Sequence, residues 1–187
     1  MADMLTNELA STEKFTMVER KQLGAVLGEQ ALGTSGAVTK ATAAKTGKMT
    51  GAKYIVTGKV SAYEENTKGT GGGLAVGGIG FGGKKEEAYI AIDLRVVDTT
   101  TGEITYTRTV EARSSSKGIA VGVAKGGVAG GFGKVDKTPA GKAIRGCLLE
   151  IASYLECAMV DKGGCLAEYD AKEKARKEKT KGSIKLD

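Results

Sequence analysis

The feature that most constrains this chain is the placing of its glycines in two short segments. The 187-residue sequence has 29 glycines and a single proline. Nine of the glycines lie within 69–83 and seven within 118–133. Glycine weakens helices and adds no side chain to a packed core, so these segments are either loops or sheets of small residues. The fold depends on which of the two they form.

The second segment alternates small and β-branched residues without interruption from position 118 to 124. This period of two predicts a strand with one apolar face and one face of small residues. Residues 125–127 can turn, and the alternation resumes from 128 to 133, so the segment is predicted to be a β-hairpin. The first segment repeats the pattern less regularly, and we predict a second hairpin there.

An apolar face backed by a face of small residues is typical of the wall of a membrane barrel. The residues predicted to face lipid are Leu74, Val76, Ile79, Phe81, Ile119, Val121, Val123, Val128 and Phe132. The residues predicted to face the lumen are Gly118, Ala120, Gly122, Ala124, Ala129, Gly131 and Gly133.

Two hairpins cannot close a barrel alone. Their open edges would leave unpaired backbone groups in lipid, at several kcal/mol each, so the membrane interpretation requires a homo-oligomer to which each copy contributes four strands. The alternative is a soluble domain on which the glycine-rich segments are mobile loops.

The rest of the chain predicts an α+β fold, a small mixed sheet flanked by helices. Helices are expected at 3–12, 19–30 and 38–48, and strands at 15–18, 54–65, 88–97 and 104–111. A long helix is predicted to begin with Thr138 as N-cap and Pro139 as the first helical residue, and to end at 163–164. We expect one domain at 1–165, with hairpins inserted at 66–87 and 113–137, and a charged tail at 166–187 that is helical or disordered.

Several classes of function find no support in the sequence. The net charge of +6 is not gathered into a basic stripe with aromatic residues, which argues against a nucleic-acid partner. Histidine is absent, and the three cysteines lack metal-ligand spacing. Gly78, Gly80 and Gly83 fit a phosphate-loop pattern, but a strand is predicted to follow where a helix is needed. We therefore expect no metal and no cofactor.

An enzyme is not expected either. The acidic pairs Glu64–Glu65 and Glu86–Glu87 are adjacent in sequence, so the two members of each pair point to opposite faces of a strand. They are interpreted as solvated charges rather than as an acid and a base. The neighbouring Lys84 and Lys85 are interpreted as an interface or headgroup-level cluster.

The cysteines leave two interpretations open. Cys157 and Cys165 can pair in an oxidising compartment. The sequence favours three free thiols, with Cys147 on the core side of the long helix. The sequence shows neither a secretion signal nor a run of 18 apolar residues that would make a transmembrane helix.

Three stretches carry a family resemblance. The first consists of 15–23 with 27–29 and includes the letters VER at 18–20. The second consists of 51–60 with 63–66. The third consists of 90–98, which contains LRVVD, with 101–104, which reads TGEI. In this order they resemble the CsgG family, the curli secretion channel and its relatives. The resemblance covers about residues 3–160 and places the family's two transmembrane hairpins at the two glycine-rich segments.

The resemblance implies a ring-shaped homo-oligomer, nonameric in the curli channel, in the outer membrane with its α/β domain on the periplasmic side. It implies export of unfolded protein subunits without a nucleotide, with accessory assembly proteins as possible partners. Family members carry a signal peptide, a lipidated cysteine and a pore-narrowing loop ahead of the helix at 3–12. The constriction residues are therefore expected upstream of this chain.

Overall fold

The computed structural model describes residues 1–69, 74–76, 79–125, 128–133 and 138–184, and the side chains within 1–66, 86–115 and 138–184. The elements, in chain order, are α1 (Ala2–Ser11), α2 (Leu23–Ser35), β1 (Tyr54–Gly69), β2 (Leu74–Val76), β3 (Ile79–Asp98), β4 (Ile104–Lys125), β5 (Val128–Gly133), α3 (Pro139–Leu155), a π-helical segment (Glu156–Asp161) and α4 (Cys165–Ser183).

The strands form one sheet in the order β1-β3-β4-β5, with β2 paired to the far end of β3. Every described pair is antiparallel, where the sequence predicted a mixed sheet. The turn from β3 to β4 is built by Asp98, whose carboxylate accepts hydrogen bonds from the backbone N–H groups of Thr100 and Thr101. Gly102 completes the turn at φ +75°, which favours glycine. The predicted α+β fold is confirmed.

The core lies between the sheet and α3. Alternate residues of β3 are buried on the side that faces the helix: Ala88, Ile90, Ile92, Leu94 and Val96. They meet a helical stripe in which Cys147, Ile151 and Leu155 are at most 1% exposed. Burying an aliphatic side chain of this size stabilises the fold by about 1.5–3 kcal/mol. The sandwich of β3 against α3 is therefore the main source of stability among the described residues.

The start of α3 follows the sequence prediction. The Gly141 N–H donates to Thr138 Oγ1 at 3.3 Å, and Pro139 occupies the first helical turn. After Leu155 the helix widens into the π-helical segment, and Lys162 ends it with φ +49°. The tail forms α4 over the described residues. Of the two predicted states, helical or disordered, the structure contains the helix.

Two predicted elements are wrong. Residues 15–18 form no strand, because no strand among the described residues pairs with them; Phe15 packs against the core from a loop. Residues 38–48 are not helical. Gly36, at φ +82°, ends α2, and the Ala- and Lys-rich stretch beyond it has no apolar face to hold a helix against the body.

The second helix begins at Leu23 rather than at residue 19. The Glu19 carboxylate accepts hydrogen bonds from the backbone N–H groups of Lys21 and Gln22, so this residue lies ahead of the helix and caps the turn that leads into it. The prediction placed Glu19 inside the helix because the sequence does not reveal these hydrogen bonds.

Candidate functional site

Strands β3 and β4 continue from the core into the two glycine-rich segments. Their pairing runs from Val96↔Tyr106 to Ile79↔Val123 with no shift of register. At the far end β2 pairs with β3 and β5 pairs with β4, so the backbone of both predicted hairpins is in strands. Positions 77–78 and 126–127, which lie between the paired strands, are outside the described residues. The second pair is most of the turn predicted at 125–127.

The register gathers the predicted lipid-facing positions into shared rows across the sheet. One row consists of Leu74, Phe81, Val121 and Phe132. A second consists of Val76, Ile79, Val123 and Gly130. The row between them consists of Ala75, Gly80, Gly122 and Gly131. Directly opposed residues share a face in an antiparallel sheet. The backbone therefore keeps the predicted lipid-facing and lumen-facing positions in separate rows; their side chains lie outside the described part.

The same ladder relates these rows to the helical layer. Val110 and Ala112 lie on the sheet face covered by α3, and a Cβ at Gly146 would be 3.6 Å from that of Ala112. Because β4 pairs with β3 without a shift, even-numbered positions of β4 stay on this face toward Gly122. The face of small positions is thus continuous with the face that carries α3. The apolar rows continue the opposite face.

That opposite face carries a polar cluster where the strands leave the core. The Arg113 guanidinium lies 5.0 Å from the centre of the Tyr89 ring. Glu64 of β1 is paired with Tyr89 across the ladder. Burial raises the pKa of the Tyr89 hydroxyl, and the carboxylate of Glu111 raises it further. Polar and charged side chains therefore occupy this face at the point where the strands leave the core.

On the helical face, Arg108 joins β4 to the last two helical elements. Its guanidinium lies 4.9 Å from the ring centres of both Tyr154 and Tyr169, and it donates a hydrogen bond to the Tyr169 carbonyl oxygen. The two rings meet edge to face at 5.3 Å. Arg108 therefore fixes the first turn of α4 on the body.

Ion pairs continue this attachment along α4. Lys172 Nζ lies 3.3 Å from Glu150 Oε1 on α3, and Arg176 lies 3.5 Å from Glu111 Oε1 on β4. Glu173 holds Arg176 from within the helix at 2.7 Å. The pKa of Glu173 is lowered by its hydrogen bond to Arg176. These contacts were not foreseen from the sequence, because the alternating charges of the tail carry no sign of their partners.

The cysteines differ from the favoured prediction of three free thiols. Cys157 and Cys165 form a disulfide with Cα atoms 6.1 Å apart, which links the π-helical segment to the start of α4. Cys147 is free and buried, as predicted, with Sγ 3.7 Å from the Val110 carbonyl oxygen. The spacing of eight residues allowed the pair, but only the turn at 162–164 brings the two cysteines together.

An apolar groove of about 650 Å³ lies at the opposite end of the sheet. It is bounded by α1, the loop at 14–20, the start of β1 and the far half of α3. The polar side chains in its lining are threonine, lysine, arginine and tyrosine, such as Lys14, Arg20 and Tyr54. The lining of the groove is predominantly apolar.

The structure places the other sequence motifs on strands. Gly80 and Gly83 lie within β3, which continues to Asp98, so no helix N-terminus follows the glycines where a phosphate loop needs one. Glu64 and Glu65 are exposed on β1. Within the described ranges, no group of three or more acidic or cysteine side chains is arranged to hold a metal ion.

No helix in the described part of the chain combines the length and the apolar character needed to cross a membrane.

Comparison with known proteins gives a family match. The profile of the family described as "Curli production assembly/transport component CsgG" matches residues 1–184. Proteins of that description from Salmonella typhimurium and Escherichia coli K12 are each 33% identical to this chain over 105 residues. A protein of the same description from Citrobacter koseri has the same identity over the same length.

The aligned part is 54% of this chain and 38% of each of these relatives, so the chain matches less than half of their length. The family profile covers a longer stretch, which includes both glycine-rich segments and α4. With a profile that spans nearly all of its residues, the chain belongs to the CsgG family.

Proposed function

We propose that this chain is the subunit of a homo-oligomeric pore in the outer membrane, through which unfolded protein subunits leave the cell. Its hairpins, at 66–87 and 113–137, insert as four strands of a shared β-barrel. The domain at 1–165 stays on the periplasmic side with the tail at 166–187 attached. The relatives named above are described as assembly and transport components of curli production, which supports transport as the activity.

The cross-strand rows carry the proposal. The apolar alternation was deduced from each segment separately, yet the backbone register aligns Leu74, Phe81, Val121 and Phe132 in one row. If the hairpins were loops, their apolar positions would not need to align across the strands. A lipid-facing wall does need this alignment, because a one-residue slip would turn a strand's small face toward lipid.

The open edges favour a ring. In the described sheet, β1 and β2 form one edge and β4 and β5 the other. Unpaired strand edges cannot remain in lipid, and pairing the β5 edge of one copy with the β2 edge of the next satisfies both. The likeness to the curli channel points to about nine copies.

The disulfide supports an extracytoplasmic location independently of the family. Disulfides such as Cys157–Cys165 form and persist in the periplasm and are rare in the cytosol. The bond lies in the α/β layer, so this layer faces the oxidising side of the membrane in our proposal.

Export needs no catalytic residue in this scheme. The lumen-facing positions are Gly118, Ala120, Gly122, Ala124, Ala129, Gly131 and Gly133, whose small side chains would leave a wide bore with little to bind a passing chain. Movement is then diffusion of an unfolded polypeptide, and the pore acts as a conduit rather than as an enzyme.

Detergent extraction and planar-bilayer recording test the proposal. The full chain is expected to form a ring of uniform mass in detergent and to give stable, uniform conductance steps. A monomer in plain buffer that gives no conductance would overturn the pore and favour the alternative, a periplasmic interaction domain.

A matched pair of substitutions tests the facing of the strands. Val121→Asp places a charge on the predicted lipid face and is expected to abolish insertion, since a charged side chain on the lipid face of a barrel strand is destabilising. Ala120→Asp places the same charge on the predicted lumen face and is expected to insert normally. Equal insertion of the two variants, measured by protease protection in vesicles, would refute the assignment of faces.

A further inference from the structure

The charge of α4 is strongly uneven along its length. The last ten residues, 174–183, contain five basic residues and one acidic residue, Glu178. Lys172, just upstream, is paired with Glu150, and Arg176, within the stretch, is paired with Glu173 and Glu111. The side chains of Lys177, Lys179 and Lys181 are exposed beyond these pairs. Among the described side chains, only Lys177 of these three contacts a carboxylate, that of Glu173 at 3.5 Å.

The contacts of α4 fix its direction. Tyr169 contacts Arg108, and seven residues later Arg176 contacts Glu111, which is three residues after Arg108. The chain therefore runs in the same direction in α4 and in β4. Seven helical residues rise about 10 Å, and three strand residues rise about 10 Å. The helix therefore runs parallel to β4, and its basic end points toward the glycine-rich strands.

The helix α3 adds charge at the same end. It runs antiparallel to α4, since Tyr154 meets Tyr169 and Glu150 meets Lys172. Its first turns, which carry the exposed Lys142 and Arg145, therefore lie beside the basic end of α4. α3 covers the sheet face that continues into the small positions of β3 and β4, and α4 packs against the same core through Leu166 and Tyr169.

We propose that the basic end of α4 forms, in the ring, a collar of positive charge at the periplasmic mouth of the pore, on the lumen side, which draws acidic segments of unfolded polypeptides into the channel. This inference rests on the proposed function, because it takes the small-residue face for the lumen. Repeating the cluster around a ring focuses the field at the entrance, where it raises the local concentration of anions.

The acidic groups near the cluster do not cancel it. Glu178 is the acidic residue within the basic stretch, and Glu173, Glu111 and Glu150 are each engaged by Arg176 or Lys172. On the other edge of the sheet, Glu64 and Glu65 are exposed at the height of Tyr89 and Ala88. These two carboxylates offer a competing partner, since a neighbouring copy would bring them toward α4.

The experiment compares ion selectivity and peptide block in planar bilayers. The full chain is expected to prefer chloride over potassium under a salt gradient. Oligoglutamate added on the side of the α/β layer is expected to block at a concentration about tenfold lower than oligolysine does. Both preferences should fade at about 1 M salt, where the Debye length falls to about 3 Å.

The test variant is K177Q/K179Q/K181Q, and the matched control is K40Q/K45Q/K48Q. The control removes the same charge from exposed lysines in the segment that joins α2 to β1. The test variant should lose the chloride preference and the advantage of oligoglutamate, with conductance unchanged, while the control keeps both.

The remaining outcomes separate the two proposals. If the test variant conducts with wild-type selectivity, the collar is refuted and the pore stands. If it no longer forms rings in detergent while the control does, the lysines bind Glu64 and Glu65 of the next copy, and the collar is again refuted. If the wild-type chain gives no conductance at all, the pore fails, and the collar fails with it.

Discussion

At the scale of single residues, Cys147 shows how the core sets chemistry. Its side chain is fully buried, and burial raises the pKa of the thiol from 9.0 to about 11. The unfolded thiol ionises near its ordinary pKa, whereas the folded thiol stays neutral. The stability that this group contributes is therefore complete below about pH 9 and is lost as the pH rises toward about 11.

The comparison of the wild type with Cys147→Ala isolates this effect. At neutral pH the variant should be less stable by about 1–2 kcal/mol, because removing Sγ leaves a small cavity. In urea unfolding, the gap should close between about pH 9 and pH 11. Tyrosines and lysines titrate equally in both proteins and cancel. A gap that stays constant with pH would contradict the assignment.

Arg108 is the second residue with a sharp expectation. Its flat guanidinium lies against both the Tyr154 and Tyr169 rings while it donates to the Tyr169 carbonyl oxygen, and a lysine cannot do both. Arg108→Lys should lower the free energy of unfolding by about 1 kcal/mol. Arg95→Lys, at an exposed position of the adjacent strand, serves as the control and should change it by less than about 0.5 kcal/mol. Equal effects would show that the ring contacts add nothing.

At the scale of elements, α4 depends on its attachments. No residue of α4 is fully buried, so the Cys157–Cys165 bond, the Arg108 contact and two ion pairs hold it. The double variant C157S/C165S lacks the disulfide that restrains the unfolded chain by closing a short loop. Its free energy of unfolding should be lower by about 2 kcal/mol. Amide exchange in α4 should accelerate by about tenfold, with α3 unchanged as the internal control. Unchanged exchange in α4 would mean that the other contacts suffice.

The elements that sequence predicted well are those with a strict period. The alternation at 118–124 and the alternate apolar residues of β3 predicted strands, because a period of two leaves few other structures that bury one face. The same reasoning gave α3, where the Thr138 cap and the spacing of Cys147, Ile151 and Leu155 agree with each other.

The failures have one physical origin, the absence of a partner. Phe15 to Val18 has the composition of a strand, but a strand needs a neighbour to satisfy its backbone, and among the described residues none pairs with it. Residues 38–48 have helix-forming alanines and lysines, but helical propensity alone does not hold a segment of that length. The contacts that place α4 join residues far apart in sequence, such as Arg108 with Tyr169, and no local pattern reveals them.

At the scale of the whole molecule, the two edges of the sheet decide how copies can meet. The β1 edge carries the exposed Glu64, and the β4 edge is flanked by α4 with the exposed Lys174. Within one chain these positions are separated by two strand spacings, about 10 Å, and by the further width of a helix, about 10 Å. In a ring, the β1 edge of one copy faces the β4 edge and α4 of the next, which brings the same two positions close together.

Cysteine cross-linking tests this arrangement. The native thiols do not interfere, because Cys147 is buried and Cys157 is bonded to Cys165. In E64C/K174C, a bismaleimide that spans about 10 Å is too short to join the pair within a chain. It is expected to join neighbouring copies and to give a ladder of multimers in denaturing gels, whose last band reports the ring size. Each single variant should give no ladder, since one thiol per copy can link two copies at most. A double variant that remains monomeric after reaction, in detergent particles of ring mass, would show that the copies meet through other surfaces and that the sheet edges are not the interface.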